Sequence, residues 1–147
     1  MIDFKGVLRT TVLLVDDDPQ QLNLRACTIE AYGFSVVAAV SPVATIAILN
    51  ERAPRKIDIA VIDYHMPVMN GCVLAEYLKT RYPSLKVVLY SGALDISKHE
   101  MGSVDVFVPK ADGIRTLLAK ITEFGRVDST NFVSFAAEDN SSMDAVN

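Results

Sequence analysis

Cysteine is scarce in this chain: only Cys27 and Cys72 occur among its 147 residues. A disulfide framework or a thiolate metal site needs more thiols at tighter spacing. The two read instead as small apolar residues of helices in a reducing compartment. Basic charge is also short, with 14 Lys and Arg against 18 Asp and Glu and a net charge of −4. The longest basic cluster, Arg55-Lys56, is no phosphate-binding patch, which argues against direct nucleic-acid binding. No apolar run approaches the ~18 residues of a membrane span, and Met1 to Gly6 lacks the charged-then-apolar build of a signal peptide. We therefore expect a soluble, cytoplasmic protein without a membrane partner. There is no internal repeat and no sign of a second domain. What the chain does have is 50% hydrophobic and 22% charged residues, enough for one core of ordinary size.

Apolar runs alternate with helical patterns along most of that length. Val12-Leu13-Leu14-Val15 stops at Asp16-Asp17-Asp18, and Asp18-Pro19 supplies a helix cap followed by proline at the first helical position. Leu22, Ala26 and Ile29 recur at helical spacing until Gly33. Phe34 to Val40 reads as a second strand, and Ser41-Pro42 opens a helix with Ala44, Ala47 and Ile48 on one side. Ile57 to Ile62 ends at Asp63, Leu74, Ala75 and Leu78 mark a third helix, and Leu85 to Tyr90 ends at Ser91. The stretch from Ala93 to Gly102 has poor helical periodicity. Val104 to Val108 is the fifth strand, and Ile114, Leu117, Leu118 and Ile121 define the last helix. Five strands alternating with five helices give an α/β fold, a doubly wound five-stranded parallel sheet. Strands apolar on both faces suit a sheet covered by helices on each side. The domain spans residues 10–124. Residues 125–147 read as a loose, partly disordered tail, with room for a short docked piece from Phe132 to Phe135.

Ligands of an open parallel sheet bind at the carboxyl ends of its strands. That edge here presents Asp16 and Asp17, Asp63, Ser91 and Lys110. A single acidic residue after a strand is commonly a turn former or cap, which suffices for Asp18. It does not account for three further carboxylates and a lysine at one edge. Neighbouring carboxylates repel unless a cation sits among them. An oxygen-only set with few ligands suits hydrated Mg²⁺, with Mn²⁺ an acceptable substitute, rather than zinc or a calcium cage.

The runs Val12-Leu-Leu-Val-Asp-Asp-Asp-Pro, Val61-Ile-Asp-Tyr-His-Met-Pro-Val-Met-Asn-Gly71, Tyr90-Ser-Gly-Ala93 and Phe107-Val-Pro-Lys110 together resemble the receiver domains of two-component response regulators. The resemblance covers about residues 10–124 and implies the flavodoxin-like (βα)5 fold, here as a stand-alone receiver. It implies that Asp63 accepts a phosphoryl group from a sensor histidine kinase or a histidine phosphotransfer protein. Asp16, Asp17 and Asp63 would hold the metal, with the His65 backbone carbonyl as a further ligand. Lys110 would pair with a phosphoryl oxygen, Ser91 would be the switch hydroxyl, and Phe107 would be the aromatic that moves with it. Plain core packing is the alternative for Phe107. The implied role is regulatory rather than enzymatic beyond self-catalysed phosphotransfer and dephosphorylation. Output would pass to a downstream protein partner, and the last helices could support a homodimer.

Two departures stand out. Many receivers have proline directly after the lysine through a cis bond, whereas here Pro109 precedes Lys110 and Ala111 follows it. Ser91 and Lys110 lie 19 positions apart, a little short for the family, so we expect a short or irregular fourth helix. A haloacid dehalogenase-like phosphatase would use Leu-Leu-Val-Asp16-Asp-Asp18 as its nucleophile motif. It needs another acidic motif beyond Lys110, where the chain offers only Asp112, and it leaves Asp63 and Met66-Pro67 unexplained.

Overall fold

The computed structural model describes residues 9–51, 57–93 and 95–125. In chain order its elements are β1 (Thr11–Val15), α1 (Pro19–Ala31), β2 (Ser35–Ala39), α2 (Pro42–Glu51), β3 (Ile59–Ile62), α3 (Gly71–Arg81) and β4 (Lys86–Ser91). A 3₁₀ turn (Glu100–Ser103), β5 (Val106–Pro109), a second 3₁₀ turn (Lys110–Asp112) and α4 (Ile114–Phe124) complete it. The strands form one parallel sheet in the order β2-β1-β3-β4-β5. This is the doubly wound arrangement, in which the order reverses beside β1 and opens a crevice at the carboxyl edge.

The continuous apolar runs are explained by two cores, one on each face. Successive strand residues point to opposite faces. Val12 and Leu14 of β1, Ile59 and Val61 of β3, and Val88 and Tyr90 of β4 pack with α1 and α4. Leu13, Val15, Ala60, Ile62 and Val87 pack on the other side with α3 and partly buried residues of α2. All five residues of β1 and all four of β3 are buried.

Helix starts follow the capping residues. The Asp18 carboxylate accepts the Gln20 and Gln21 N–H groups at 3.0 and 3.4 Å. Ser41 Oγ accepts the Ala44 N–H at 2.9 Å. Asn70 Oδ1 accepts those of Cys72 and Val73 at 2.9 and 3.1 Å. Beyond α1 the chain turns at Gly33, whose φ of +99° suits a residue without Cβ. In α2 the buried residues are Pro42 and Thr45, while Ala47 is exposed, so the apolar side lies slightly off the expected stripe.

Five α-helices were expected and the described residues contain four. Between β4 and β5 a single 3₁₀ turn stands where a helix was predicted, because the intervening stretch lacks a helical apolar stripe and carries Gly92 and Gly102. The short or irregular element anticipated from the Ser91–Lys110 spacing is thus present. Val106 and Val108 face the α1 and α4 side, so alternation sends Phe107 to the face beside this turn. Phe107 is half-buried and belongs to neither apolar cluster. The described residues contain no cis peptide bond. The expected tail, with Phe132 to Phe135, lies outside the described residues.

Candidate functional site

Strand register brings the predicted residues to one edge. β1 and β3 pair as far as Val15 and Ile62, so Asp16 and Asp63 leave the sheet side by side. The Asp63 N–H donates to the Val15 carbonyl at 3.0 Å, continuing the ladder by one bond. On β4, Leu89 pairs with Ile62, and Ser91 stands two residues further on. Ser91 in turn pairs with Pro109, directly before Lys110.

Asp16, Asp17 and Asp63 each offer a carboxylate oxygen within 4.8 Å of the others. Asp16 and Asp63 are 2% and 8% exposed, whereas Asp17 is open to solvent. Lys110 Nζ lies 3.1 Å from Asp63 Oδ2 and 3.9 Å from Asp16 Oδ2. Its ammonium offsets part of the repulsion that burial would otherwise intensify. The donor set is all oxygen and open on the Asp17 side, which fits a hard, partly hydrated divalent cation such as Mg²⁺.

Ser91 is fully buried, and its Oγ accepts the Ala93 N–H at 3.2 Å. His65 is exposed, and its ring meets Tyr64 edge-on with centroids 5.0 Å apart. Its imidazole is not part of the carboxylate group.

The loop after Asp63 owes its path to two backbone features. Gly71 buries against the end of β3: an added Cβ would stand 2.3 Å from the Asp63 carbonyl oxygen. Its N–H donates to the Tyr64 carbonyl at 2.8 Å, closing the loop. Between Pro67 and Met69, Val68 holds a φ of +75° in a turn closed by the Met69 N–H on the Pro67 carbonyl at 2.8 Å. A β-branched residue there is strained.

Two residues, Arg25 and Tyr64, make contacts that were not foreseen from the sequence. Arg25 of α1 ion-pairs with Asp16 through Nη1, donates to Gln21 Oε1 at 3.1 Å, and lies over the Tyr90 ring at 5.1 Å. Its signal was legible: position 25 falls on the inward stripe of Leu22, Ala26 and Ile29, where a cation needs a partner. The Tyr64 hydroxyl donates to Glu100 Oε1 at 2.8 Å, joining the residue after Asp63 to the 3₁₀ turn. That hydrogen bond to a carboxylate holds the phenol pKa above its ordinary value. Cys72 is buried at the start of α3, and burial pushes its thiol pKa up, so it stays protonated as a packing residue.

Comparison with known proteins agrees with this geometry. The family model for the response regulator receiver domain matches residues 12–122. The photosynthetic apparatus regulatory protein RegA of Rhodobacter capsulatus is 34% identical over 117 residues, covering 75% of this chain and 62% of RegA. The heme response regulator HssR of Staphylococcus haemolyticus is 34% identical over 112 residues, covering 74% of this chain and 48% of HssR. The chain thus spans less than two thirds of the length of these relatives. The response regulator TrrA of Thermotoga maritima, solved with Mg²⁺-BeF, superposes with a TM-score of 0.70 at 20% identity, covering 78% of this chain and 98% of TrrA. TrrA in complex with the histidine kinase ThkA gives 0.68 at 20% identity, covering 78% and 97%. None of the described helices is long and apolar enough to cross a membrane. Carrying this fold and matched by the family model over most of its length, the chain belongs to the response regulator receiver domains of two-component signalling.

Proposed function

We propose that the chain takes a phosphoryl group on Asp63 from a phosphohistidine donor and uses the resulting change to alter binding to a protein partner. The observation that carries this reading is the juxtaposition of Asp63 with Lys110 at 3.1 Å inside a three-carboxylate pocket. An Asp63 oxygen would attack phosphorus in line as the phosphorus–nitrogen bond to the donor histidine breaks, with the electron pair leaving on the imidazole. Lys110 is placed to pair with a phosphoryl oxygen as a compact point charge. Asp16, Asp17 and Asp63, with the His65 carbonyl, are the residues that would hold Mg²⁺ or Mn²⁺. When bound, the metal supplies positive charge against the phosphoryl oxygens. Hydrolysis of the acyl phosphate would then return Asp63 to its starting state.

The donor class is a sensor histidine kinase or a histidine phosphotransfer protein in the cytoplasm, a reading supported by the kinase-bound state of TrrA. Ser91 begins on the Ala93 amide. Its recruitment by a phosphoryl oxygen would free that N–H and move the chain toward the 3₁₀ turn, with Phe107 on the same side able to respond. The phosphatase alternative is disfavoured by Asp16, which is 2% exposed. Its two oxygens are engaged by Arg25 and by the Asp18 N–H at 2.9 Å, which suits a held ligand better than a nucleophile.

Incubation with acetyl phosphate or phosphoramidate and Mg²⁺, followed by intact-mass analysis, tests the proposal. Wild type should gain one phosphoryl group, and Asp63→Ala should gain none. Unmodified wild type beside a labelled control receiver, or modification of Asp16 in its place, would sink it.

A further inference from the structure

The cation closest to Asp16 comes from a helix rather than from a strand end. Arg25 projects from the inward face of α1, and its side chain is only 12% exposed. Three partners fix it at once: Asp16 Oδ2, Gln21 Oε1 and the face of Tyr90. A guanidinium suits this task because its planar fork bonds two acceptors while its face stacks on a ring. Lysine could supply the charge without that geometry.

The charges in the pocket show what such a group does. Asp16, Asp17 and Asp63 contribute three negative charges within 4.8 Å, and Lys110 and Arg25 contribute two positive ones. One net negative charge is left for an arriving divalent cation; without Arg25 there would be two. The oxygen that Arg25 holds, Asp16 Oδ2, is also the one nearest Lys110. A metal that recruits Asp16 must share the carboxylate with a resident cation or reach it through a bridging water.

We infer that Arg25 is a built-in counter-ion of the acidic pocket, holding Asp16 in the metal-free protein and weakening divalent-cation binding there. It is a positioning residue, acting through Asp16 rather than on a phosphoryl group. The inference rests on the proposed metal-binding role of the carboxylates. It does not depend on whether Asp63 becomes phosphorylated.

Isothermal titration of MgCl₂ into wild type, Arg25→Gln and Arg25→Lys at low ionic strength, with thermal melts in EDTA and in saturating Mg²⁺, provides the test. Arg25→Gln should bind Mg²⁺ about tenfold more tightly, a change of ~1.4 kcal/mol. Its melt should fall in EDTA and return close to the wild-type value with Mg²⁺. Arg25→Lys, which keeps the charge, should stay within about threefold of wild-type affinity. A folded Arg25→Gln with equal or weaker affinity overturns the inference, as does an Arg25→Lys as tight as Arg25→Gln. Absence of Mg²⁺ binding in all three proteins overturns the metal reading and the Arg25 role together. Failure of Asp63 labelling alone leaves a measured affinity shift standing.

Discussion

Gly71 illustrates how a single backbone position can constrain Asp63, the proposed phosphoryl acceptor, without touching a ligand. A methyl group there would collide with the Asp63 carbonyl, so either the loop or the end of β3 must shift. Gly71→Ala is expected to destabilise the fold by roughly 1–3 kcal/mol through overpacking and to slow labelling of Asp63. Urea unfolding of the variant measures the first effect, and an unchanged midpoint would remove Gly71 from this role. The residue was visible in the sequence as the last letter of the Asp63-to-Gly71 motif, but its reason was not. Motif spacing says that a glycine recurs; only the fold shows which carbonyl excludes a side chain. Arg25 presents the reverse case, with a physical signal on the inward stripe of α1 and no motif to draw attention to it.

Among the elements, those with strong periodicity or clear caps followed directly from the residues. Asp18 and Ser41 each begin a helix by accepting backbone N–H groups, Asn70 does the same from a position read only as loop, and the inward residues of α1, α3 and α4 pack as their spacing implied. The 3₁₀ turn between β4 and β5 was not legible beyond its irregularity, and one contact made with it is distant in sequence. Tyr64 reaches 36 positions along the chain to Glu100, and no local pattern encodes that pair. Tyr64→Phe should raise amide hydrogen exchange across Glu100–Ser103 while leaving β3 and α3 protected, as mass spectrometry of exchanged peptides would show. Equal protection in both proteins would mean that the hydroxyl does not hold the turn. The pH dependence has a definite sign. Because the bond to Glu100 raises the Tyr64 pKa, its contribution is complete below the ordinary tyrosine value of about 10 and is lost as pH rises through the higher folded value. Glu100→Gln should bring the phenol titration back down toward that ordinary value in an ultraviolet titration.

For the molecule as a whole, the acidic pocket sets the proposed metal binding against stability. Three carboxylates converge at one sheet edge, and metal-free folding must tolerate their repulsion. Asp17 is the exposed member, so its charge can be removed with little loss of packing. Asp17→Asn should melt at or above the wild-type temperature without metal, yet lose most of the stabilisation that Mg²⁺ confers by mass action. Paired thermal scans with EDTA and with Mg²⁺ provide the check. A variant that keeps the full metal-induced shift would show that Asp17 is no ligand.

The parallel sheet also has an outer border at β5, and its make-up bears on how the protein behaves when crowded. A border strand with free N–H and C=O groups can recruit a strand from another molecule and start a growing stack. β5 is only four residues long and finishes on Pro109, which brings no N–H to either neighbour. A second copy would find few donors to extend along, and the pairing would stop at the proline. The residue that brings the chain to Lys110 thus also limits β-type self-association at the border nearest the proposed switch.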